Sequence, residues 1–348
     1  MLSFGREELR LFTRPICPQA SYDGKLRNLE AVEQAFLRRD ERCEGLPVHL
    51  HVEPSGDCNL RCAICPRGRG LIERRGGLAF KAFERAFDTV SDHLANIVIS
   101  GWGEPLLNPE TPRMIGQAIG RGVSVFMNSN GTRLLENVGK ILDSGLTVLC
   151  VALDGAMSHA THAYNDESPF EHVIKGVERL CAARERGGYS YPRIHGLFIV
   201  TEENLGEVEA MVAWASRLGI ERTKFKRRMR TMPGQVERSR LDAVQERLEI
   251  KAHAAVRSEE DLTFTVADCS HPWDSLFLDC RGRLGLCSWD PHRRIDFGEA
   301  GGDLNSIWNG EQIRSVRRWH SGQGSSAGAP CLSCNRVPGY LIPAPARP

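Results

Sequence analysis

From position 48 the chain alternates between short apolar runs and longer amphipathic stretches, and this alternation predicts its architecture. Strand-like runs lie at 48–52, 96–100, 124–128, 147–153, 193–200 and 223–226. Between them, apolar residues recur at helical spacing near 80–93, 112–120, 135–144, 170–186 and 205–218. Gly120, Gly145 and Gly219 stand where helix C-caps are expected. Six βα units with mostly apolar strands predict a parallel sheet covered by helices. Periodicity alone does not separate an open six-stranded sheet from a closed eight-stranded barrel. Both place function at the C-terminal ends of the strands.

The flanks follow other patterns. Residues 1–47 are polar and lack strand alternation, but 28–38 has helical spacing, with Leu29, Val32, Ala35 and Phe36 on one side. This segment is either a leading helix or part of a substrate lid. Residues 236–265 read as an amphipathic helix through Leu241, Val244, Leu248 and Ala252. Residues 276–287 read as two strands around an Arg281-Gly282 turn, and 312–319 as a helix. The expected organisation is an N-terminal helical extension (1–47), a barrel-like domain (48–235), a linker helix (236–265) and a small C-terminal domain (266–348).

Charge and composition narrow the setting. With 45 basic and 44 acidic residues the formal net charge is +1, which gives no whole-molecule field for nucleic acid or a membrane surface. No apolar run is long enough to span a bilayer, and the N-terminus lacks the apolar stretch of a signal peptide. A cytoplasmic protein without nucleic-acid or membrane partners is expected. Twelve cysteines in such a setting point to metal ligation rather than disulfides. Cys17, Cys43, Cys150 and Cys181 are scattered and read as packing or surface residues.

The other cysteines fall in two sets. Cys58-Asn-Leu-Arg-Cys62-Ala-Ile-Cys65 follows the first strand. Three thiolates on one loop saturate three irons of a four-iron cluster and leave the fourth open for a ligand, as catalytic metal sites do. A zinc knot or three unrelated thiols is the alternative, although zinc sites usually bring C-x2-C pairs or a fourth ligand close by and none follows Cys65 for a long way. The second set is Cys269, then twelve residues to Gly282, four more to Cys287, and a closing Cys331-Leu-Ser-Cys334. Four thiolates can close a second cluster with no open site; a structural zinc site also fits C-x-x-C plus two distant cysteines. Cys280 is left over as a competing ligand, a hydrogen-atom donor or a hairpin residue.

The strand ends carry further candidates. Gly101-Trp102-Gly103-Glu104-Pro105 follows the second strand, with glycines that allow close approach of backbone and a carboxylate able to receive an ammonium. Asn128-Ser129-Asn130-Gly131-Thr132 follows the third and is also what a capped turn into a helix requires. Ala152-Leu153-Asp154-Gly155 follows the fourth, and the fifth (193–200) offers an apolar wall with Gly196. At the sixth, Lys224-Phe-Lys226-Arg227-Arg228-Met-Arg230 puts five cations in seven residues. Such a run is either a solvated loop or a positive mouth for an anionic or polyhydroxylated substrate.

Together these motifs resemble the radical S-adenosylmethionine (radical SAM) enzymes, over roughly residues 48–335. The resemblance implies a partial (β/α)6 TIM-like barrel, here an α/β fold with a small C-terminal twitch domain of β-hairpin plus helix. It implies a [4Fe–4S] cluster with an open iron on Cys58, Cys62 and Cys65, and an auxiliary [4Fe–4S] cluster on Cys269, Cys287, Cys331 and Cys334. The stretch 101–105 resembles the family's G-G-E-P turn, so Gly101, Gly103 and Glu104 are expected to bind the methionine moiety of S-adenosylmethionine (SAM). Asn128, Ser129 and Asn130 resemble its T-N-G turn, and Asp154 its S-x-D-G stretch. Two departures stand out: Ala152 replaces the serine, and Tyr164-Asn165-Asp166 stands where many relatives place a carboxylate-clasping arginine. Arg228 or Arg230 is expected to touch substrate, and Cys280 to be a candidate hydrogen-atom donor.

The implied chemistry is reductive cleavage of SAM to a 5′-deoxyadenosyl radical, with electrons from a flavodoxin- or ferredoxin-type donor, followed by hydrogen abstraction. The expected substrate is a small polar natural-product precursor such as an aminocyclitol, sugar or nucleotide sugar. Oxidation, epimerisation and C–C bond formation are all open as outcomes. A peptide-modifying enzyme and a non-catalytic iron–sulfur or zinc protein are the alternatives.

Overall fold

The computed structural model describes residues 9–62, 65–153, 170–200, 205–227, 269–290, 293–323 and 331. Each of the six apolar runs is a strand: β1 (His49–Val52), β2 (Asn96–Ile99), β3 (Ser124–Ser129), β4 (Val148–Ala152), β5 (Arg193–Val200) and β6 (Arg222–Arg227). The helices are α1 (Gln19–Arg38), α2 (Phe80–Val90), α3 (Thr111–Gly120), α4 (Leu134–Asp143), α5 (Phe170–Arg186) and α6 (Val208–Arg217). After them come α7 (His271–Asp274), β7 (Ser275–Leu278), β8 (Arg283–Gly285), β9 (Asp296–Glu299), α8 (Leu304–Trp308) and α9 (Glu311–His320). This is a parallel-rich α/β fold of the partial TIM-barrel type with an antiparallel C-terminal region. The amphipathic stretch 236–265 lies outside the described residues.

The chain forms two compact units. The first comprises Met1–Asp57, Arg74–Phe126 and Phe264–Val337. In it β1 pairs in parallel with β2 on one side (His49 opposite Asn96) and with β7 on the other (His49 opposite Ser275). The C-terminal segment thus adds a strand beyond the six that local periodicity predicts. From β7 the pairing turns antiparallel through β8 to β9, the β7–β8 hairpin turning at Gly282, whose φ of 78° suits glycine.

Helix α1 belongs to the core of this unit. Its apolar face, Leu29, Val32 and Phe36, is buried with Val48, Ala95 and Trp273, and the Phe36 and Trp273 rings meet edge to face at 5.5 Å. Each such side chain contributes about 1.5–3 kcal/mol on burial. Lys25, also buried, donates from Nζ to the carbonyls of Ser91 (2.9 Å) and Leu94 (2.6 Å) just past the end of α2, where a cation complements the helix dipole. Arg317 of α9 donates to the carbonyls of Pro272 (2.8 Å) and Glu41 (3.1 Å). Helix α8 starts at Asp303, whose carboxylate accepts the N–H groups of Asn305 and Ser306.

The second unit comprises Cys58–Glu73, Met127–Thr263 and Pro338–Pro348. Here β4, β5 and β6 pair in parallel, with Val148 opposite Arg193 and His195 opposite Arg222. Helices α4 and α6 end at the expected glycines, Gly145 (φ 70°) and Gly219 (φ 76°), both left-handed. For α3, in the first unit, the left-handed residue is Gly122 (φ 66°) rather than Gly120, which is still helical. The four scattered cysteines 17, 43, 150 and 181 are all buried.

Candidate radical SAM and auxiliary-cluster sites

In the first unit, the chain leaving β1 forms a platform for the turn 101–105. Glu53 is fully buried. Its Oε1 accepts the Trp102 N–H at 2.9 Å and its Oε2 accepts Arg74 Nε at 3.1 Å. Glu104 N–H donates to the Asp57 carbonyl at 2.8 Å, next to Cys58 in sequence. The glycines are required by contact. A Cβ on Gly101 would stand 2.7 Å from Glu53 Oε1, and one on Gly103 would stand 2.0 Å from the Ser55 carbonyl oxygen. Glu104 is buried, and its Oε1 accepts the Leu106 N–H at 3.0 Å, capping the short turn Pro105–Leu107. Asn108 ties this turn back, donating to the carbonyls of Pro54 (2.7 Å) and Leu78 (2.9 Å).

Cys280 lies beneath the same platform. It is buried, its Sγ lies 3.8 Å from the Arg75 carbonyl, and a Cβ on Gly56 would meet it at 2.6 Å. Burial, with the Glu53 and Asp279 carboxylates nearby, pushes its thiol up to about 12. It is a neutral thiol at ordinary pH.

In the second unit, the three-cysteine loop and the turn 128–132 are joined. Asn59 Nδ2 donates to Thr132 Oγ1 at 2.8 Å, and Asn130 Nδ2 donates to Asn59 Oδ1 at 3.1 Å. Asn130 also approaches Cys58 Sγ at 3.7 Å, and the Leu60 N–H donates to that sulfur at 3.4 Å. Cys58, Cys62 and Cys65 are all partly exposed. Ser129 Oγ accepts the Gly131 N–H at 3.0 Å, and Asn130 Oδ1 accepts the Thr132 N–H at 3.0 Å, so the turn is held by its own side chains. Gly68 closes the loop on itself, for a Cβ there would lie 2.2 Å from the Cys62 carbonyl oxygen. Accessible thiols with N–H donors aimed at sulfur fit an iron–sulfur cluster, whose potential depends on such hydrogen bonds.

The second cysteine set lies in the first unit as far as it is described. Cys269, Cys287 and Cys331 are partly exposed; Cys334 lies outside the described residues. Cys287 Sγ stands 3.2 Å from His271 Nδ1 and accepts the Trp289 N–H at 3.3 Å. The Trp289 N–H on this sulfur also fits a cluster ligand. Among the described residues no three His, Cys, Asp or Glu side chains converge on a single metal ion; cluster thiolates bind different irons and stand further apart than that. Strand β6 ends at Arg227, so Arg228 and Arg230 lie outside the described residues, as does Asp154.

Sequence reasoning missed Glu53 and His271. A strand-end Glu and a His two residues after Cys269 were visible, but their partners, Trp102 and Cys287, are far away in sequence.

Comparison with known proteins accords with these sites. The chain matches the radical SAM superfamily over residues 52–245 and an iron–sulfur cluster-binding SPASM domain over 269–335. It belongs to the radical SAM superfamily, and its C-terminal region is a SPASM-type cluster-binding domain. Membership implies as cofactors a radical SAM [4Fe–4S] cluster, SAM and an auxiliary cluster.

The chain is similar to mycofactocin maturase MftC of Mycobacterium ulcerans (strain Agy99), with 26% identity over 174 residues, covering 50% of this chain and 45% of that protein. It is similar to GTP 3′,8-cyclase of Aeromonas hydrophila subsp. hydrophila, with 26% identity over 181 residues, covering 50% and 52%. The chain thus spans about half the length of the curated relatives it matches. In fold it is similar to SuiB of Streptococcus suis bound to SAM, with TM-score 0.63 and 16% identity, covering 90% of this chain and 76% of that one. SuiB bound to precursor peptide SuiA gives TM-score 0.62 at 15% identity, covering 90% and 74%. No helix among the described residues is long and apolar enough to cross a membrane.

Proposed function

We infer that this chain is a peptide- or protein-modifying radical SAM enzyme. The observation that carries the reading is a radical SAM match and a SPASM match on one chain that is similar over 174 residues to a mycofactocin maturase. The likeness in fold to SuiB, also solved with a precursor peptide, supports it. In this reading Cys58, Cys62 and Cys65 hold the first cluster, and Cys269, Cys287, Cys331 and Cys334 the second. When bound, the first cluster and SAM supply a carbon radical that abstracts hydrogen from substrate. The chain's own residues do the rest. The turn 101–105, clamped by Glu53, would receive the methionine ammonium at Glu104; Asn128, Ser129, Asn130 and Asp154 are the other candidate SAM contacts. Arg228 or Arg230 orients the substrate through its acceptor groups. Cys280, kept as a thiol by burial, is the candidate hydrogen-atom donor. A flavodoxin- or ferredoxin-type protein supplies the electron.

A small polar metabolite is the second reading. The similarity to GTP 3′,8-cyclase favours it, as does the cationic run at 224–230. Reconstituted enzyme, offered deuterated short peptides encoded beside its gene and, separately, deuterated nucleotides and aminocyclitols, decides between them. The expected result is a mass change in a peptide with deuterium carried into 5′-deoxyadenosine. Turnover of a nucleotide or sugar with none of any peptide overturns the peptide reading.

A further inference from the structure

The turn 101–105 is held so that the Trp102 backbone has little room to move. Its N–H is fixed on Glu53, Gly101 and Gly103 pass so close to Glu53 and Ser55 that a Cβ on either would collide, and the Glu104 N–H donates to the Asp57 carbonyl. The Trp102 side chain leaves this anchored turn and meets the loop after β8, within the same unit. Its indole Nε1–H donates to the Ser288 carbonyl at 3.0 Å. Its ring meets Trp289 edge to face, with centroids 6.0 Å apart and planes at 89°. Ser288 and Trp289 directly follow Cys287, and the Trp289 N–H is the group donating to Cys287 Sγ. One hydrogen bond and one ring pair therefore link the backbone of the turn to the donor on a cysteine of the second set.

We propose that Trp102 is a positioning residue that couples occupancy of the turn by SAM to the electronic environment of the auxiliary cluster at Cys287. The proposal rests on the reading that the turn 101–105 receives SAM and that Cys287 ligates the second cluster. A ligand seated on the turn loads a backbone that cannot yield toward Glu53 or Ser55, so displacement is transmitted through the indole to Ser288. The adjoining Trp289 N–H then changes its distance to Cys287 Sγ. Cluster potentials respond to hydrogen bonds on sulfur and to the surrounding shell. Linkage makes the effect reciprocal, so the redox state of the auxiliary cluster alters SAM affinity by the same factor. A purely structural tryptophan predicts neither response.

The test uses the anaerobic holoenzyme with both clusters loaded, followed by film voltammetry with and without SAM, in wild type, Trp102→Phe and Trp102→Leu. Phenylalanine keeps a ring against Trp289 and loses the N–H donor; leucine loses both. In wild type SAM is expected to shift the auxiliary wave as well as that of the first cluster. In Trp102→Phe the auxiliary shift is expected to be lost while the first cluster still responds. A wild-type auxiliary wave indifferent to SAM overturns the coupling whatever the variants do, and so does an undiminished shift in Trp102→Phe. Absence of a second wave in fully loaded wild type overturns the two-cluster reading itself, and the proposal with it.

Discussion

Glu53 anchors the candidate SAM turn at Gly101 and Trp102. Its side chain and that of Arg74 are only 1% and 7% exposed, so removing one charge leaves the other in a poorly solvated place. Glu53→Ala is expected to lower stability by about 3–5 kcal/mol in denaturant titration. Glu53→Gln, which keeps an acceptor for the Trp102 N–H, is expected to cost less and to weaken SAM binding less. Cys280 gives a prediction in pH. Its folded value of about 12 lies above the ordinary 9.0, so the neutral thiol is favoured by folding. That stability is present in full below pH 9.0 and is lost as pH rises toward 12. Comparing Cys280→Ala with wild type should show the wild type's advantage shrinking as pH rises above 9.0; an advantage constant through that window would contradict the burial argument.

At the scale of elements, the strand-end turns are shaped by close backbone approach, and this can be probed one glycine at a time. Gly103→Ala puts a Cβ onto backbone oxygens of Ser55 and Asp57, which cannot step aside as a side-chain tip would. It is expected to cost about 1–3 kcal/mol and to weaken SAM binding measured by calorimetry. Gly68→Ala, aimed at the Cys62 carbonyl, is expected to reduce iron loading of the first site, read by iron and sulfide analysis. Gly139→Ala in α4 is the control. Its Cβ meets nothing within 4 Å, so it should be neutral or stabilise by up to about 1 kcal/mol. The elements were largely legible in the sequence because βα periodicity is local, and all six strands and the helices between them sit within a few residues of where the pattern puts them. The pairing of β7 with β1 was not legible, because it joins residues more than 200 positions apart and no local pattern records a partner. For the same reason α1, compatible with a lid by its spacing, is placed in the core by Trp273 and Ala95.

For the whole molecule, the family was legible and the substrate was not. The cysteine sets at 58–65 and 269–334, with the strand-end turns, carry the resemblance through which the family was legible. A substrate is recognised by loops, and Arg228, Arg230 and Asp154 lie outside the described residues. The cationic run at 224–230 suggested a small anionic or polyhydroxylated substrate, and the peptide reading is a proposal that turnover decides. The two cysteine sets can be separated by stoichiometry. Two four-iron clusters require about eight irons per chain, and replacing Cys269 and Cys287 by alanine should leave about four. SAM cleavage at the first cluster should persist in that variant. The most direct test of the central claim is production of 5′-deoxyadenosine by the anaerobic, reduced holoenzyme supplied with SAM. The account predicts 5′-deoxyadenosine from wild type and none from Cys62→Ala. No product from fully loaded wild type, or undiminished product from Cys62→Ala, would contradict it.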